Sequence, residues 1–370
     1  MMPAMNPARA VRPSSSPLRG RWLLVLALTF AVPLLACTPH QQSRADTNLE
    51  PVLARSAILT DDAQRLPLER WGPQDPRAVV LALHGFTEHS GVFAGLAQTL
   101  AEADIALYAY DQRGFGGTRH RGIWPGEQLL IDDARMTWRL LAERYADRDI
   151  HLLGESMGGA VALLATSGEA AIEPASLVLL APAVWGRDIM PWYQQTALWL
   201  GEQLVPGLEF DRIAARELAA VTPTDDPDVA ADIEADERML RDVRTDMIAG
   251  MTDLMAQALQ ATDHIYQPSL LLYGLEDEII PPPAACAMFR RMEASGGEPP
   301  VIGIYPDGYH LLTRDLQAEQ TRADIRDWLT EPDGDLPSGR QQNLADARER
   351  VCERKREGLS DIIPNPGADR

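Results

Sequence analysis

A serine flanked by glycines gives the clearest chemical signal in the chain. Gly154-Glu155-Ser156-Met157-Gly158 fits the pattern G-x-S-x-G, with an apolar strand pattern before it and an alanine-rich helical pattern after it. This context is typical of a nucleophilic serine on a sharp strand-to-helix turn, where side chains larger than hydrogen would collide with the neighbouring strand and helix. The Met157 N–H would then lie at a helix N-terminus, where it can donate to an oxyanion. We therefore predict that Ser156 is a catalytic nucleophile.

A base for this serine is expected after the acid in chain order. Of the seven histidines, only His310 follows the last predicted strand, in the loop Asp307-Gly308-Tyr309-His310. An imidazole there can return to the carboxyl edge of the sheet and accept the serine proton. The alternative is an ordinary surface histidine. We predict that His310 is the base, because no other histidine could complete the set.

Three carboxylates compete for the role of the acid. The apolar strand pattern at 270–274 leads directly into Glu276, Asp277 and Glu278, and Asp188, after an earlier strand, is a more remote candidate. An acid at the end of this strand would hold the imidazole in the tautomer that accepts the serine proton. The flanking glutamates can equally be solvated loop charges, so the motif alone leaves the choice open.

A second oxyanion donor is expected in the loop after the first central strand. His84-Gly85-Phe86 occupies that place, which makes the Phe86 N–H the candidate donor. His84 and His89 lie on the wrong element for a base, and we interpret them as hydrogen-bonded scaffold of this loop. Arg113, after the next strand, is interpreted in the same way as a residue that braces a loop.

The elements that must position these residues alternate between short apolar strands and longer helical patterns, which is typical of a mostly parallel sheet covered by helices on both faces. An opening hairpin is predicted at 57–59 and 66–71, followed by strands at 79–84, 105–110, 150–154, 177–181, 270–274 and 301–305. Helices are predicted at 91–103, 127–146, 157–167, 283–294 and 314–330. The sequence therefore predicts an α/β fold with a mostly parallel eight-stranded sheet.

The strand rhythm stops for about eighty residues in the middle of the chain. We therefore divide the body into 53–183 and 265–330, separated by an inserted helical cap at 184–264, and expect a peripheral tail at 331–370 with at best one short helix. Within the cap, Trp192 and Trp199 are seven residues apart and would share one helix face. Such a face could receive an acyl chain or pack on the edge of the sheet, and both alternatives require that it be buried.

The N-terminus resembles a bacterial lipoprotein signal. Arginines precede an apolar run at 22–36, and Cys37 follows this run directly. The run is shorter than the about 20 residues that a helix needs to span a membrane. We predict a lipoprotein signal peptide at 1–36, lipidation of Cys37, and a polar tether at 37–52. A plain signal peptide or an uncleaved anchor is the alternative. The expected location is the bacterial cell envelope, on the membrane through Cys37.

Composition and motifs exclude several classes of function. The formal charge of −20, from 54 acidic and 34 basic residues, argues against nucleic-acid binding. The chain has no CxxC or HExxH motif, and no GxGxxG opens a helix after a strand, so we expect no metal and no cofactor. Apart from Cys37, the cysteines of the chain are Cys286 and Cys352. These two can form a disulfide after export, or Cys286 can be a buried free thiol.

Five stretches together resemble one branch of the α/β hydrolases, the monoacylglycerol lipase and lysophospholipase branch. They are HGFTEHSGVF, YDQRGFGGT, LLGESMGGA, LLLYGLEDEIIPP and YPDGYHLL, within residues 79–330. The resemblance implies that Asp277, three residues after the strand-ending glycine, is the acid, that His310 is the base, and that the oxyanion amides are those of Phe86 and Met157. Glu155 departs from the histidine that many relatives have, and the cap matches only in general character.

The resemblance implies a two-step acyl transfer through an acyl-enzyme on the serine. We expect hydrolysis of monoacylglycerol-like or lysophospholipid-like carboxylic esters. One alternative keeps the same residues but transfers the acyl group to an alcohol or to peroxide. Another is an inactive hydrolase fold retained as a lipid-binding envelope protein, although Ser156, Asp277 and His310 form a complete set.

Overall fold

A mixed sheet of ten strands forms the centre of the computed structural model, which describes residues 40–214 and 221–360, apart from the side chains of Asp188 and of 355–360. The strands are β1 (Val52–Leu53), β2 (Ala57–Leu59), β3 (Arg65–Trp71), β4 (Ala78–Leu83), β5 (Ile105–Tyr110), β6 (Asp149–Glu155), β7 (Leu177–Leu180), β10 (Ser269–Gly274), β11 (Val301–Tyr305) and β12 (Gln341–Gln342). Their order across the sheet is β1-β2-β3-β5-β4-β6-β7-β10-β11-β12. The predicted fold class is confirmed, and all eight predicted strands are present. The two additional strands of this sheet, β1 and β12, have two residues each, which is too short to show the alternation of apolar and polar residues that indicates a strand.

The six central strands, from β5 to β11 in this order, are parallel. Every residue of β4, β5 and β10 is buried, as expected for parallel strands that are covered on both faces. The chain passes from β4 to β5 on one side and then to β6 on the other, with Leu83 opposite Gly154 in the β4–β6 pair. The loops after β4 and β6 therefore meet at a switch point, where α/β sheets bind ligands.

Helices cover both faces of the sheet. They are α1 (Ala94–Ala101), α2 (Glu127–Arg144), α3 (Met157–Ala165), α4 (Trp192–Leu204), α5 (Pro227–Ala235), α6 (Thr245–Ala261), α7 (Pro282–Ser295), α8 (Ala318–Thr330) and α9 (Leu344–Ser360). Alternate residues of β4 face opposite sides: Leu81 packs in the core beneath α2, α3, α6 and α7, and Val80 packs beneath α1 and α8. None of the described helices is both long and apolar enough to cross a bilayer.

The cap differs from the prediction in two ways. Residues Glu209–Asp211 and Asp242–Arg244 form strands β8 and β9 of a small antiparallel sheet, which is too short to give a signal in the sequence. Helix α6, which lies within the segment predicted as the cap, packs against α3 and places Met247 and Leu254 in the main core. Parallel strands need a crossover helix, and α6 provides it between β7 and β10.

Both ends of the described chain are attached to the body more closely than the sequence suggests. The backbone N–H of Gln42, in the predicted tether, donates to Trp124 O at 3.0 Å. In the predicted tail, β12 pairs with β11, and α9 packs on α7 with Ala347 fully buried. A disulfide joins Cys286 of α7 to Cys352 of α9, so of the two alternatives for these thiols the bond is present. The predicted signal peptide at 1–36, Cys37 and residues 361–370 lie outside the described residues.

Candidate active site

Ser156 lies on a strained turn between β6 and α3. Its φ and ψ are 53° and −116°, a conformation that residues with a side chain rarely adopt. A Cβ on Gly158 would lie 1.9 Å from the carbonyl oxygen of Leu83, and a Cβ on Gly154 would lie 2.3 Å from the carbonyl oxygen of Gly158. These contacts are with backbone, which cannot move aside, so the turn requires both glycines. The turn therefore has the geometry that the motif predicts.

His310 lies in the loop after β11 and contacts Asp277, in the loop after β10. The ring Nδ1–H donates to Asp277 Oδ2 at 2.8 Å, and both side chains are buried. The other carboxylate oxygen, Oδ1, accepts from the backbone N–H groups of Ile279 and Ile280 at 2.9 and 2.8 Å. These bonds fix the carboxylate and, through it, the orientation and tautomer of the imidazole, so that Nε2 is the atom left to accept a proton.

The structure separates the carboxylates that the motif left open. Glu276 forms an ion pair with Arg354 of α9, and Glu278 Oε2 accepts from the Thr222 N–H at 2.7 Å. Among the described residues, Asp277 alone pairs with His310; the side chain of Asp188 lies outside them. The geometry thus agrees with the acid that the family resemblance implies.

Electrostatics favour the charged form of His310. Burial by itself would lower the pKa of the imidazole, but the Asp277 carboxylate, with its hydrogen bond, and the nearby Glu155 and Glu88 outweigh burial and raise the pKa above its usual value. The site is therefore arranged to stabilise an imidazolium, which is the form that appears when His310 takes a proton from a nucleophile.

The loop after β4 is held by hydrogen bonds from its histidines. His84 Nδ1–H donates to Gly85 O at 2.8 Å, while its Nε2 accepts from the Gln112 N–H at 2.9 Å. His89 accepts from Gly91 N at 3.0 Å and contacts Asp236 of the cap at 2.9 Å. Both histidines are thus scaffold, as interpreted from the sequence. Arg113 similarly binds the buried Asp62 and Asp133, away from the cavity.

Two backbone N–H groups at the site have no acceptor in the described part of the chain. They belong to Phe86, after β4, and to Met157, the first residue of α3. The Phe86 ring packs against Phe115 and Trp124, at centroid distances of 5.5 and 6.5 Å, which fixes the loop that carries its N–H. Free N–H groups at a helix N-terminus and in the adjacent loop are suited to bind an oxyanion.

Ser156 and His310 line the same cavity, which lies under the cap and has a volume of about 440 Å³. Its other walls come from both the body and the cap and are mainly apolar. They include Phe86, Phe210, Val221, Ile233, Met239, Val243, Ile248, Ile279 and Leu311, with Glu88, Arg212 and Glu278 among the polar groups. The predicted apolar face of Trp192 and Trp199 is not part of this cavity. Those side chains are 77% and 57% exposed, so the expectation that their face is buried is wrong.

One group beside the site was not predicted from the sequence. Arg314, four residues after His310, forms ion pairs with Glu88 and Glu155 at 2.7 and 2.9 Å. The three residues are far apart in the sequence, and no spacing rule joins them. The only signal was Glu155, which departs from the histidine that the family resemblance implies at this position.

Comparison with known proteins adds a family and several relatives. The family model described as serine aminopeptidase, S33 matches residues 74–317. A monoacylglycerol lipase of Mycolicibacterium smegmatis is 26% identical over 269 residues, which cover 72% of this chain and 92% of the relative. The monoglyceride lipase of Homo sapiens is 25% identical over 270 residues, covering 70% and 84%.

Solved structures with the same fold include two lipases. The monoacylglycerol lipase of Paleococcus ferrophilus superimposes with a TM-score of 0.56 at 22% identity, covering 71% of this chain and 98% of that one. A soluble variant of monoglyceride lipase from Saccharomyces cerevisiae, in complex with a substrate analogue, has a TM-score of 0.60 at 19% identity, covering 79% and 98%. At these identities the likeness concerns the fold.

Proposed function

This chain belongs to the serine aminopeptidase, S33 family of α/β hydrolases, and on that premise we propose that it hydrolyses carboxylic esters of single-chain lipids, of the monoacylglycerol or lysophospholipid kind. The observation that carries the proposal is the placement of Ser156 and of the Asp277-bound His310 in one mainly apolar cavity. Curated relatives along most of the chain are monoacylglycerol lipases, which supports this substrate class.

In the proposed mechanism, Ser156 Oγ attacks the ester carbonyl carbon while His310 Nε2 takes the serine proton. The N–H groups of Phe86 and Met157 bind the oxyanion that forms. The C–O bond to the alcohol then breaks, and His310 gives its proton to the departing oxygen. Water, deprotonated by the same imidazole, releases the acid from the acyl-enzyme. Asp277 holds the imidazole and stabilises its cation throughout.

The nucleophile is tested with a fluorophosphonate probe. Wild type is expected to be labelled on one serine, and Ser156→Ala is expected to lose both labelling and ester hydrolysis. Ser176→Ala is the matched control, because Ser176 also contacts a buried histidine, His151, at 2.7 Å, but outside the cavity. Labelling that survives in Ser156→Ala would overturn the assignment.

The substrate class is tested with a chain-length series of p-nitrophenyl esters and monoacylglycerols, and with an amino-acid p-nitroanilide for peptidase activity. Ile233 is a buried wall of the cavity, so Ile233→Phe should reduce turnover of long acyl chains while short esters are spared. Leu49→Phe, at an exposed site outside the cavity, is the control. Faster cleavage of the anilide than of every ester would reject the ester class.

We also propose that the enzyme acts at the membrane through a lipid on Cys37, the location that we expect from the predicted signal peptide. The described chain begins at His40, whose N–H donates to Asp246 at the start of α6 at 3.1 Å. A chain spans at most about 3.5 Å per residue, so a lipid on Cys37 would attach within roughly 10 Å of His40. Any anchor there would therefore hold this side of the cap near the bilayer.

The cap surface beside this point supports such an orientation. The N–H of Asp246 donates to Pro206 O at 3.0 Å, and the segment around Pro206 carries exposed apolar side chains. Together with α4 this apolar surface comprises Trp192, Tyr193, Trp199, Leu200, Leu204, Val205, Leu208 and Phe210. Phe210, one of these exposed residues, also lines the cavity. Several exposed apolar side chains on one segment are typical of a membrane or protein contact.

Lipidation and membrane contact are tested separately. Metabolic labelling with a clickable fatty acid should mark wild type but not Cys37→Ser. With the anchor intact, Trp192→Ser/Trp199→Ser should slow hydrolysis of monoacylglycerol held in vesicles and leave hydrolysis of soluble p-nitrophenyl butyrate unchanged; Tyr266→Ser, exposed but outside this apolar surface, is the control. An unlabelled wild type that high salt removes from membranes would refute the anchor.

A further inference from the structure

Arg314 joins three loops that carry the proposed catalytic groups. A single guanidinium nitrogen, Nη2, lies 2.7 Å from Glu88 Oε1 and 2.9 Å from Glu155 Oε2. Glu88 belongs to the loop after β4, Glu155 is the last residue of β6, and Arg314 follows β11. Strands β6, β7 and β10 lie between β4 and β11 in the sheet, so the contact ties together loops that strand pairing alone leaves independent.

Each member of this ion network is next to a group in the proposed mechanism. Glu88 Oε2 accepts the N–H of Gly85 at 3.0 Å, and Gly85 immediately precedes Phe86. Glu155 immediately precedes Ser156, and Arg314 is four residues after His310. The network therefore spans the distance from the oxyanion donor to the nucleophile and to the base.

Stability is a poor explanation for these charges. Their side chains are 9%, 1% and 10% exposed for Glu88, Glu155 and Arg314, so all three are removed from water. Buried ion pairs lose about as much in desolvation as they regain in attraction, and neutral side chains of similar volume are often as stabilising. A network at this position is better explained by the geometry that it imposes on the loops.

We propose that Glu88, Arg314 and Glu155 are positioning residues that hold the Phe86 N–H at the point where the oxyanion forms beside Ser156. The inference rests on the proposed mechanism of Ser156. The Phe86 N–H binds the oxyanion, which is present in the transition state and not in the bound ester. Loosening the loop that carries this N–H therefore lowers kcat and leaves ground-state binding of the ester largely unchanged.

The test compares conservative and disruptive variants of the full chain on whichever ester it cleaves fastest. Glu155→Leu and Glu88→Leu should each lower kcat by about 10- to 100-fold with KM within about threefold, up to the loss of about 100-fold that a misplacement of about 1 Å can cause. The inhibition constant of an alkylboronic acid, which forms a tetrahedral anion on the serine, should rise by the same factor. Glu155→Gln keeps an oxygen for Arg314 and should restore kcat to within about threefold of wild type.

A second buried network provides the matched control. Arg113 also binds two buried carboxylates, Asp62 and Asp133, but outside the cavity. The neutral triple variants Glu88→Gln/Arg314→Met/Glu155→Gln and Asp62→Asn/Arg113→Met/Asp133→Asn leave no charge unpaired, so they remain informative if a single substitution prevents folding. Only the first should lose kcat and boronate affinity.

Equal kinetic losses in both triple variants, or a rise in KM alone, would overturn the positioning role. Failure of the proposed function gives a different result, because activity would then survive in Ser156→Ala or no ester would be cleaved at all. The substrate's head group does not enter the comparison.

Discussion

Replacement of Asp277 by asparagine directly tests how the His310 imidazole is oriented. Asp277 Oδ1 accepts two backbone N–H groups, those of Ile279 and Ile280, and Oδ2 accepts from His310. In Asp277→Asn the amide oxygen must stay with the two backbone N–H donors. The flipped amide would instead turn its own NH₂ donor toward these two N–H groups and leave all of them without an acceptor. The amide NH₂ group therefore points at His310 Nδ1, which can then only accept.

The result is the wrong tautomer. With Nδ1 accepting, the imidazole proton lies on Nε2, and the base can no longer take the proton of Ser156. Such a change in a Ser-His-Asp triad costs about 10⁴-fold in kcat, or about 5.5 kcal/mol of transition-state stabilisation. Packing is conserved, so we expect the folded structure and the KM for ester to change little.

The assay is kcat on a short p-nitrophenyl ester together with the rate of fluorophosphonate labelling. Glu276→Gln and Glu278→Gln are matched controls, since these neighbouring carboxylates contact Arg354 and Thr222 and not His310. Both controls should stay within a few-fold of wild type. The reasoning is refuted if Asp277→Asn keeps more than about a tenth of wild-type kcat, or if Glu278→Gln loses as much.

Three further outcomes follow from the structure. The raised pKa of His310 places the acid limb of the kcat/KM profile above about pH 6.5, because His310 must be neutral to act as a base, and a limb well below pH 6.5 would contradict this. The contribution of the His310–Asp277 contact to folding stability is complete below about pH 6.5 and is lost as pH rises through the folded-state pKa of His310. Cys286→Ser/Cys352→Ser opens a 66-residue separation and should lower the unfolding free energy by about 2–4 kcal/mol in urea titration, an effect that reductant should reproduce on wild type and not on the variant. Gly158→Ala should abolish labelling and lower Tm, because the new Cβ meets the Leu83 carbonyl, whereas Gly297→Ala, whose Cβ would lie 3.8 Å from Ser295 Oγ, should do neither.

The features that could be predicted from the sequence are those whose signal lies within a short stretch of the chain. The elbow of Ser156 and the strands of the parallel sheet carry local signals, so the fold class and the turn could be predicted from spacing and hydropathy. His310 followed from chain order. Asp277 needed the family resemblance, because three carboxylates in a row differ only in where their side chains point.

What the sequence missed depends on contacts between distant segments. The ion network of Arg314 joins residues up to 226 positions apart by number, from Glu88 to Arg314, and no local pattern indicates it. Helix α6 was assigned to the cap because a buried crossover helix and a cap helix share the same apolar periodicity. The face of Trp192 and Trp199 was expected to be buried, since an apolar helix face does not reveal whether protein or another apolar medium covers it.

The position of α6 has a consequence for how this enzyme can diversify. Because α6 is the crossover between β7 and β10, the segment from Trp185 to Arg244 is a detour that leaves and rejoins the body at the carboxyl edge of the sheet. No strand pairing of the central sheet depends on that segment, and doubling the length of such a loop costs only about 0.6 kcal/mol in closure entropy. Grafting this detour between related chains would therefore exchange the cap side of the cavity while Ser156, Asp277 and His310 stay on an unaltered frame.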